Sequence, residues 1–273
     1  MRPDLEAEVR RIAADRTSGS LDLALAAVDL MAYETDPPPA VLRELAAALT
    51  AAQPDMIAVR NAVRSCLSAR MDSVAGRGSY PDAISEFRRS LVTSRSRTAR
   101  RLLEVIDRPV AVATLSRSST VLEALDHLRA SGRLRSVTVL ESIPGGEGRL
   151  TTETLREHVD EVRLAPDEEL ETVAASSDVV VLGADALFQD GGILNKVLSR
   201  RLAERALEAG RRVYAVVETI KLDRHRRSPE WSPGARSLFE VVPPQLLTAI
   251  ATEVGVFNPN EIASLDGEMG ARA

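Results

Sequence analysis

Apolar residues recur at helical spacing through the first hundred residues of the chain. The runs LDLALAAVDLMAYE, VLRELAAALTAA and MIAVRNAVRSCLSARM each carry one apolar stripe, which predicts amphipathic helices. Caps and breakers separate them: Ser18 or Ser20 before the second helix, DPPP at 36–39, and GRGSYPD at 76–82. Beyond Pro109 the pattern changes. Short β-rich runs at 110–114, 136–140, 178–184, 211–217 and 238–242 alternate with helical stretches at 118–131, 194–209 and 243–253. Continuous apolar strands between helices predict a parallel sheet covered on both faces. The fold class is therefore α/β: a helical N-terminal domain, 1–105, followed by a Rossmann-like parallel-sheet domain, 106–273. Residues 267–273 are expected to form a loose tail.

Composition narrows the function classes. The chain has 273 residues, of which 44% are hydrophobic and 27% charged, with a net charge of −5. That balance belongs to a globular protein and opposes broad binding of nucleic-acid backbones. Aromatic residues make up only 3%, too few for a base-stacking platform. No apolar run reaches the roughly 18–20 residues of a membrane span, and the charged start (MRPDLEAEVRRIAADR) carries no signal segment. A cytoplasmic protein is expected. One cysteine, Cys66, and three scattered histidines predict neither a disulfide framework nor a Cys/His metal site. Six arginines between Arg88 and Arg101, with no acid among them, read as an anion or nucleic-acid patch or as the solvated face of a long helix. The second reading is preferred.

Ligands of open α/β sheets collect beyond the C-terminal ends of the strands. After the first strand comes Thr114-Leu115-Ser116-Arg117-Ser118-Ser119-Thr120-Val121, whose hydroxyls suit either a phosphate or a simple helix cap. After the second comes a Gly-rich segment, Glu141 to Arg149, expected to be mobile. After the third comes Asp185, where desolvation would push a carboxylate toward a catalytic range. Asn195 and Lys196 are expected to open the following helix, and Lys221 follows the fourth strand. Of 35 basic residues only Lys196 and Lys221 are lysines. A compact point charge differs from a guanidinium fork, so two lysines at strand ends mark a phosphate or sugar oxygen.

These residues, in this order, resemble the family containing the α, β and δ subunits of translation initiation factor 2B, their archaeal homologues, ribose-1,5-bisphosphate isomerase and methylthioribose-1-phosphate isomerase. The resemblance runs through Arg16-Thr17-Ser18-Gly19, Pro54 and Asn61, then the Thr114–Val121 segment and Glu147-Gly148-Arg149. It continues through Gly183-Ala-Asp185, Gly191-Gly-x-x-Asn195-Lys196, Lys221, and Phe239 to Gly255. It implies a dimer or hexamer of identical chains binding a small sugar phosphate or nucleotide, without cofactor, metal or membrane. By position, Arg16, Thr17, Ser18, Gly19, Gln53, Ser118, Ser119, Thr120, Asn195, Lys196 and Lys221 would hold phosphate and sugar. Asp185 would be the catalytic acid–base group.

The departures set a second expectation beside the first. The isomerases carry a cysteine where this chain has Ser116, and a phosphate-binding arginine where it has Gln53. The Gly-Thr that usually follows Asn-Lys-x is here Leu198-Ser199. A serine hydroxyl titrates too high to replace a thiol without an activating partner. Cys66, in a predicted helix, is expected to be a buried apolar residue. Two functions follow: an aldose–ketose isomerase of a 1-phosphorylated pentose, or a non-catalytic regulatory protein binding a nucleotide or sugar phosphate.

Overall fold

The computed structural model describes residues 2–15, 18–228 and 238–265. It forms two compact units, Met1–Ser94 and Arg95–Ala273. In the first unit lie α1 (Pro3–Ala14), α2 (Ser20–Met31), α3 (Pro39–Ala52) and α4 (Ile57–Val74); α5 (Tyr80–Arg101) begins there. Pro3 and Pro39 each open a helix, where the missing N–H costs nothing. Ala24, Ala27, Ala58 and Ala62 are fully enclosed, so small side chains let α2 and α4 approach closely without aromatic filling. Cys66 is buried among them, and burial pushes its thiol up to about 12.

Along α5, Ile84, Leu91 and Ala99 are buried while Arg88, Arg89, Arg97 and Arg100 are exposed. Arg88 pairs with Asp29 and Arg101 with Glu104. Four of the six arginines thus lie on the solvated face of a long helix, with Arg95 and Arg101 half-buried.

The second unit is built on a seven-stranded sheet. Its strands are β1 (Val110–Leu115), β2 (Leu134–Leu140), β3 (Val162–Ala165), β4 (Val179–Leu182), β7 (Arg212–Val216), β10 (Ala249–Thr252) and β11 (Gly255–Phe257). The spatial order is β3-β2-β1-β4-β7-β10-β11, with every neighbouring pair parallel except the β10–β11 hairpin. The chain runs one way from β1 to β3, then returns to add β4, β7 and β10 on the other side. Strand order thus reverses between β1 and β4, where doubly wound sheets bind ligands.

Helices α6 (Ser119–Ala130), α7 (Glu147–Arg156), α8 (Leu170–Ser176) and α9 (Ser199–Glu208) cover the sheet. Alternation along β4 shows both faces buried: Val179 and Val181 join the cluster around α6, whereas Val180 and Leu182 join the one around α8 and α9.

Three expectations are corrected. Asn195 and Lys196 do not open a helix; they end β6 (Ile193–Lys196), and α9 starts at Ser199. The 238–242 strand is β9 (Phe239–Val242), which belongs to a second sheet, β8-β5-β6-β9, with β5 (Ala186–Phe188) and β8 (Leu222–Asp223). The stretch 243–253 is a short 3-10 turn followed by β10, not a helix. In each case pairing with a distant strand outweighs local spacing: Lys196 faces Phe239, and Ala249 faces Tyr214. The expected tail at 267–273 lies outside the described residues.

Candidate functional site

The C-terminal ends of β1, β4, β7 and β10 deliver four polar segments to one edge of the sheet. Beyond β1, Ser116 is half-buried in the left-handed region, at φ +60°. Its N–H donates to Ser142 Oγ at 2.6 Å, and its carbonyl accepts from Thr151 Oγ1 at 2.7 Å. Ser142, beyond β2, is also left-handed (φ +66°) and fully buried. The Asp167 carboxylate holds it by accepting the N–H groups of Ser142 and Ile143. Ser118 is the N-cap of α6 and accepts from Val121 N at 3.3 Å, as one of the two sequence readings anticipated. Ser119 is exposed, and Thr120 is buried.

Beyond β4, a Cβ on Gly183 would lie 2.5 Å from Ser118 Oγ, so only glycine lets the two strand ends meet here. Asp185 follows, half-buried, with its N–H donating to Leu194 O at 2.8 Å. That bond sets it beside β6, where Asn195 and Lys196 are both buried. Asn195 Nδ2 donates to Ser199 Oγ at 2.9 Å. Lys196 Nζ donates to Pro144 O at 2.6 Å and to Glu147 Oε1 at 2.7 Å. The Gly-rich segment is therefore loop only as far as Gly146. At Glu147 it becomes α7, tied to β6 through Lys196.

Beyond β7 and β10 come two groups to which the sequence gave no role, Glu218 and Glu253. Glu218 is completely buried; it accepts from Thr120 Oγ1 and lies 2.7 Å from Lys221 Nζ. Burial alone would raise the Glu218 pKa, but the Lys221 charge and the hydrogen bonds from Lys221 and Thr120 hold it below the usual carboxylate range. Glu253, just past β10, accepts from the N–H and hydroxyl of Thr219 and from Thr98 Oγ1. It fixes the turn that carries Lys221. Both acids directly follow apolar strands, so the strand-end rule that picked Asp185 applied to them equally.

Each lysine is thus already matched by a carboxylate, Lys196 by Glu147 and Lys221 by Glu218. A count of cations does not reveal that pairing. Among the described residues no cluster of histidine, cysteine, aspartate and glutamate could hold a metal ion, and no helix is long and apolar enough to cross a membrane.

The remaining sequence candidates lie in the first unit. Arg16 and Thr17 are outside the described residues. Ser18 folds back on Asp15, donating to its carboxylate through N–H and hydroxyl, and Gly19 is the N-cap of α2. Gln53 is buried, and its amide donates to Ile12 O at 2.7 Å and Asp15 O at 3.3 Å. It satisfies carbonyls at the C-terminal end of α1.

The chain is similar in sequence and fold to known proteins. A ribose 1,5-bisphosphate isomerase of Haloterrigena turkmenica is 28% identical, over 94% of this chain and 91% of its own. An eIF-2B subunit 2-like protein of Pyrococcus furiosus is 29% identical over 57% of this chain. Only 60% of that relative's length is matched. The crystal structure of the Pyrococcus horikoshii OT3 translation initiation factor eIF-2B superposes with a TM-score of 0.83 at 21% identity, covering 95% of this chain and 98% of that one. The family model described as the Initiation factor 2 subunit family matches residues 16–232. With the doubly wound sheet and its helical partner unit, that match places the chain in the initiation factor 2 subunit family.

Proposed function

We propose that this protein is a sugar-phosphate aldose–ketose isomerase acting on a 1-phosphorylated pentose of the ribose-1,5-bisphosphate kind. The observation that carries the reading is Asp185, a half-buried carboxylate just beyond β4, at the strand-order reversal where Gly183 packs against Ser118. The isomerase relative aligned over 94% of the chain supports it.

A pentose with phosphate on its anomeric oxygen cannot open as a free hemiacetal. The bond from C1 to the ring oxygen must break while that oxygen takes up a proton. Hydrogen moves from C2 to C1, and the C2 hydroxyl gives up its proton as the carbonyl forms. The proton gained and the proton lost balance. Asp185 is the acid–base group of this cycle, and Ser116 is a hydrogen-bonding residue. Asn195, Lys196, Lys221, Ser118 and Ser119 hold the sugar phosphate, with Thr120 behind them on Glu218. No cofactor or metal enters the scheme, and assembly as a homodimer or hexamer accompanies it.

Ribose-1,5-bisphosphate, ribose 1-phosphate and methylthioribose 1-phosphate are the substrates to try, with ketose formation as the readout. Asp185→Asn is expected to lower kcat by about 10²-fold or more while leaving binding within a few fold. Binding of at least one of the three with turnover of none would remove the enzymatic reading. The alternative is then a non-catalytic regulator that binds a nucleotide or sugar phosphate. Ser116 in the place of a thiol favours that alternative, as does Gln53, whose amide is committed to backbone carbonyls.

A further inference from the structure

Glu218 and Lys221 form an ion pair with almost no exposure to solvent: their side chains are 0% and 7% exposed. Enclosing two charges strips both of water, and their attraction rarely leaves net stability beyond what an apolar pair would give. Stability therefore does not explain why this pair stands at the ligand-binding edge of a parallel sheet. Its connections do. One Glu218 oxygen receives the Thr120 hydroxyl, in the first turn of α6, and the other faces Lys221 Nζ at 2.7 Å. A single carboxylate thus ties the end of β7, the start of α6 and the lysine together. The pairing also fixes donor identities. Thr120 has one hydroxyl proton, and Glu218 takes it, so Thr120 offers only lone pairs to any other group. Lys221 has three N–H donors, and Glu218 occupies only part of that set.

We infer that Glu218 is a positioning residue of the ligand site: it aims the Lys221 ammonium at an anionic oxygen and withholds the Thr120 hydroxyl from donating to it. This rests on the proposed sugar-phosphate site and refines it. Anion recognition at this edge then depends on Lys221, with Thr120 serving Glu218 rather than the phosphate. Glu253 supports the same device from the other side by fixing Thr219, two residues before Lys221.

The test is a double-mutant cycle on the full chain, read by calorimetric binding of ribose 1-phosphate, with inorganic phosphate as a second probe. Glu218→Gln keeps the shape and can still accept from Thr120, but it leaves Lys221 without its carboxylate. Glu218→Gln and Lys221→Met are each expected to weaken binding tenfold or more. Adding Glu218→Gln to Lys221→Met should then cost less than a further twofold, because the residue through which Glu218 acts is gone. Thr120→Val should change phosphate affinity less than threefold. Four results would each overturn the inference: wild-type affinity in Glu218→Gln, a full additional loss in the double variant, a tenfold loss in Thr120→Val, or wild-type protein that binds neither probe. If Glu218→Gln does not fold, the comparison moves to Glu218→Asp. That variant keeps the charge on a shorter arm and should weaken binding only when Lys221 is present. Binding is measured independently of turnover. A coupled cycle in a protein that forms no ketose would reject the isomerase reading and leave Glu218 its role.

Discussion

Ser116 occupies a backbone conformation that costs a non-glycine residue about 1–3 kcal/mol. The bonds that hold it there are specific: its N–H is satisfied by Ser142 Oγ, and Ser142 is itself held by Asp167. Ser116→Gly should therefore raise stability, by about 1 kcal/mol, because glycine adopts positive φ without penalty. Ser142→Ala should lower it by about 1–3 kcal/mol, since it removes the fully buried Ser142 hydroxyl that accepts the half-buried Ser116 N–H. Urea unfolding of both variants decides the point, and a Ser116→Gly protein less stable than wild type would contradict it. Cys66 gives a second prediction at this scale. With its thiol enclosed and pushed up to about 12, it should resist a disulfide reagent at pH 8 in the native protein. It should react fully once guanidinium unfolds the chain; rapid native-state labelling would contradict its burial.

Among the elements, the close approach of α7 to β2 depends on one atom that is absent. A Cβ on Gly148 would come within 2.0 Å of the Leu140 carbonyl oxygen, a backbone atom that cannot swing aside. Gly148→Ala should then cost about 1–3 kcal/mol through overpacking, seen as a lowered midpoint in urea. An unchanged midpoint would mean that α7 can shift freely. Read from sequence, Gly148 belongs to a flexible loop; in the fold it is a helical residue selected for contact. The same contrast separates what was legible from what was not. β1, β2, β4 and β7 were readable because each is a continuous apolar run bounded by turn residues. β6 was not: Ile193–Lys196 leads into SRRLAERALE, so the helical period of α9 appears to extend backwards through it. What makes Asn195 and Lys196 a strand is pairing with Glu240 and Phe239, more than forty residues away. Asp185, Lys196 and Lys221 stand at or just beyond strand ends, a placement that follows from local pattern. Their partners Glu147 and Glu218 were not assigned, because partnership is a property of the folded chain.

For the whole molecule, acid is the revealing perturbation. Forty acidic residues oppose 35 basic ones, nearly all arginines that stay charged at any accessible pH. Below about pH 4 the carboxylates protonate and leave that positive charge uncompensated, so melting temperature should fall steeply in low salt and partly recover when salt is added. A fully buried acid and a half-buried one should contribute with opposite signs. Glu218 has its pKa held below its unfolded value, so its stabilisation is present above the unfolded carboxylate range and is lost as pH falls through the folded pKa. Glu240 is pushed the other way: burial raises its pKa, against hydrogen bonds from the backbone N–H groups of Arg200 and Leu198. Its ionised form costs stability at neutral pH, and that cost disappears as pH falls below its unfolded pKa. Glu218→Gln should therefore melt below wild type at pH 7, with the gap closing as pH falls through the folded pKa of Glu218. Glu240→Gln, which keeps an acceptor for the same N–H groups, should melt above wild type at pH 7 and also converge. Each kcal/mol corresponds to a melting shift of about 2–4 °C in a chain of this size. Thermal melts of the three proteins between pH 7 and pH 3 separate the two effects. Shifts of the same sign at pH 7 would mean that one of these carboxylates is not held as the fold implies.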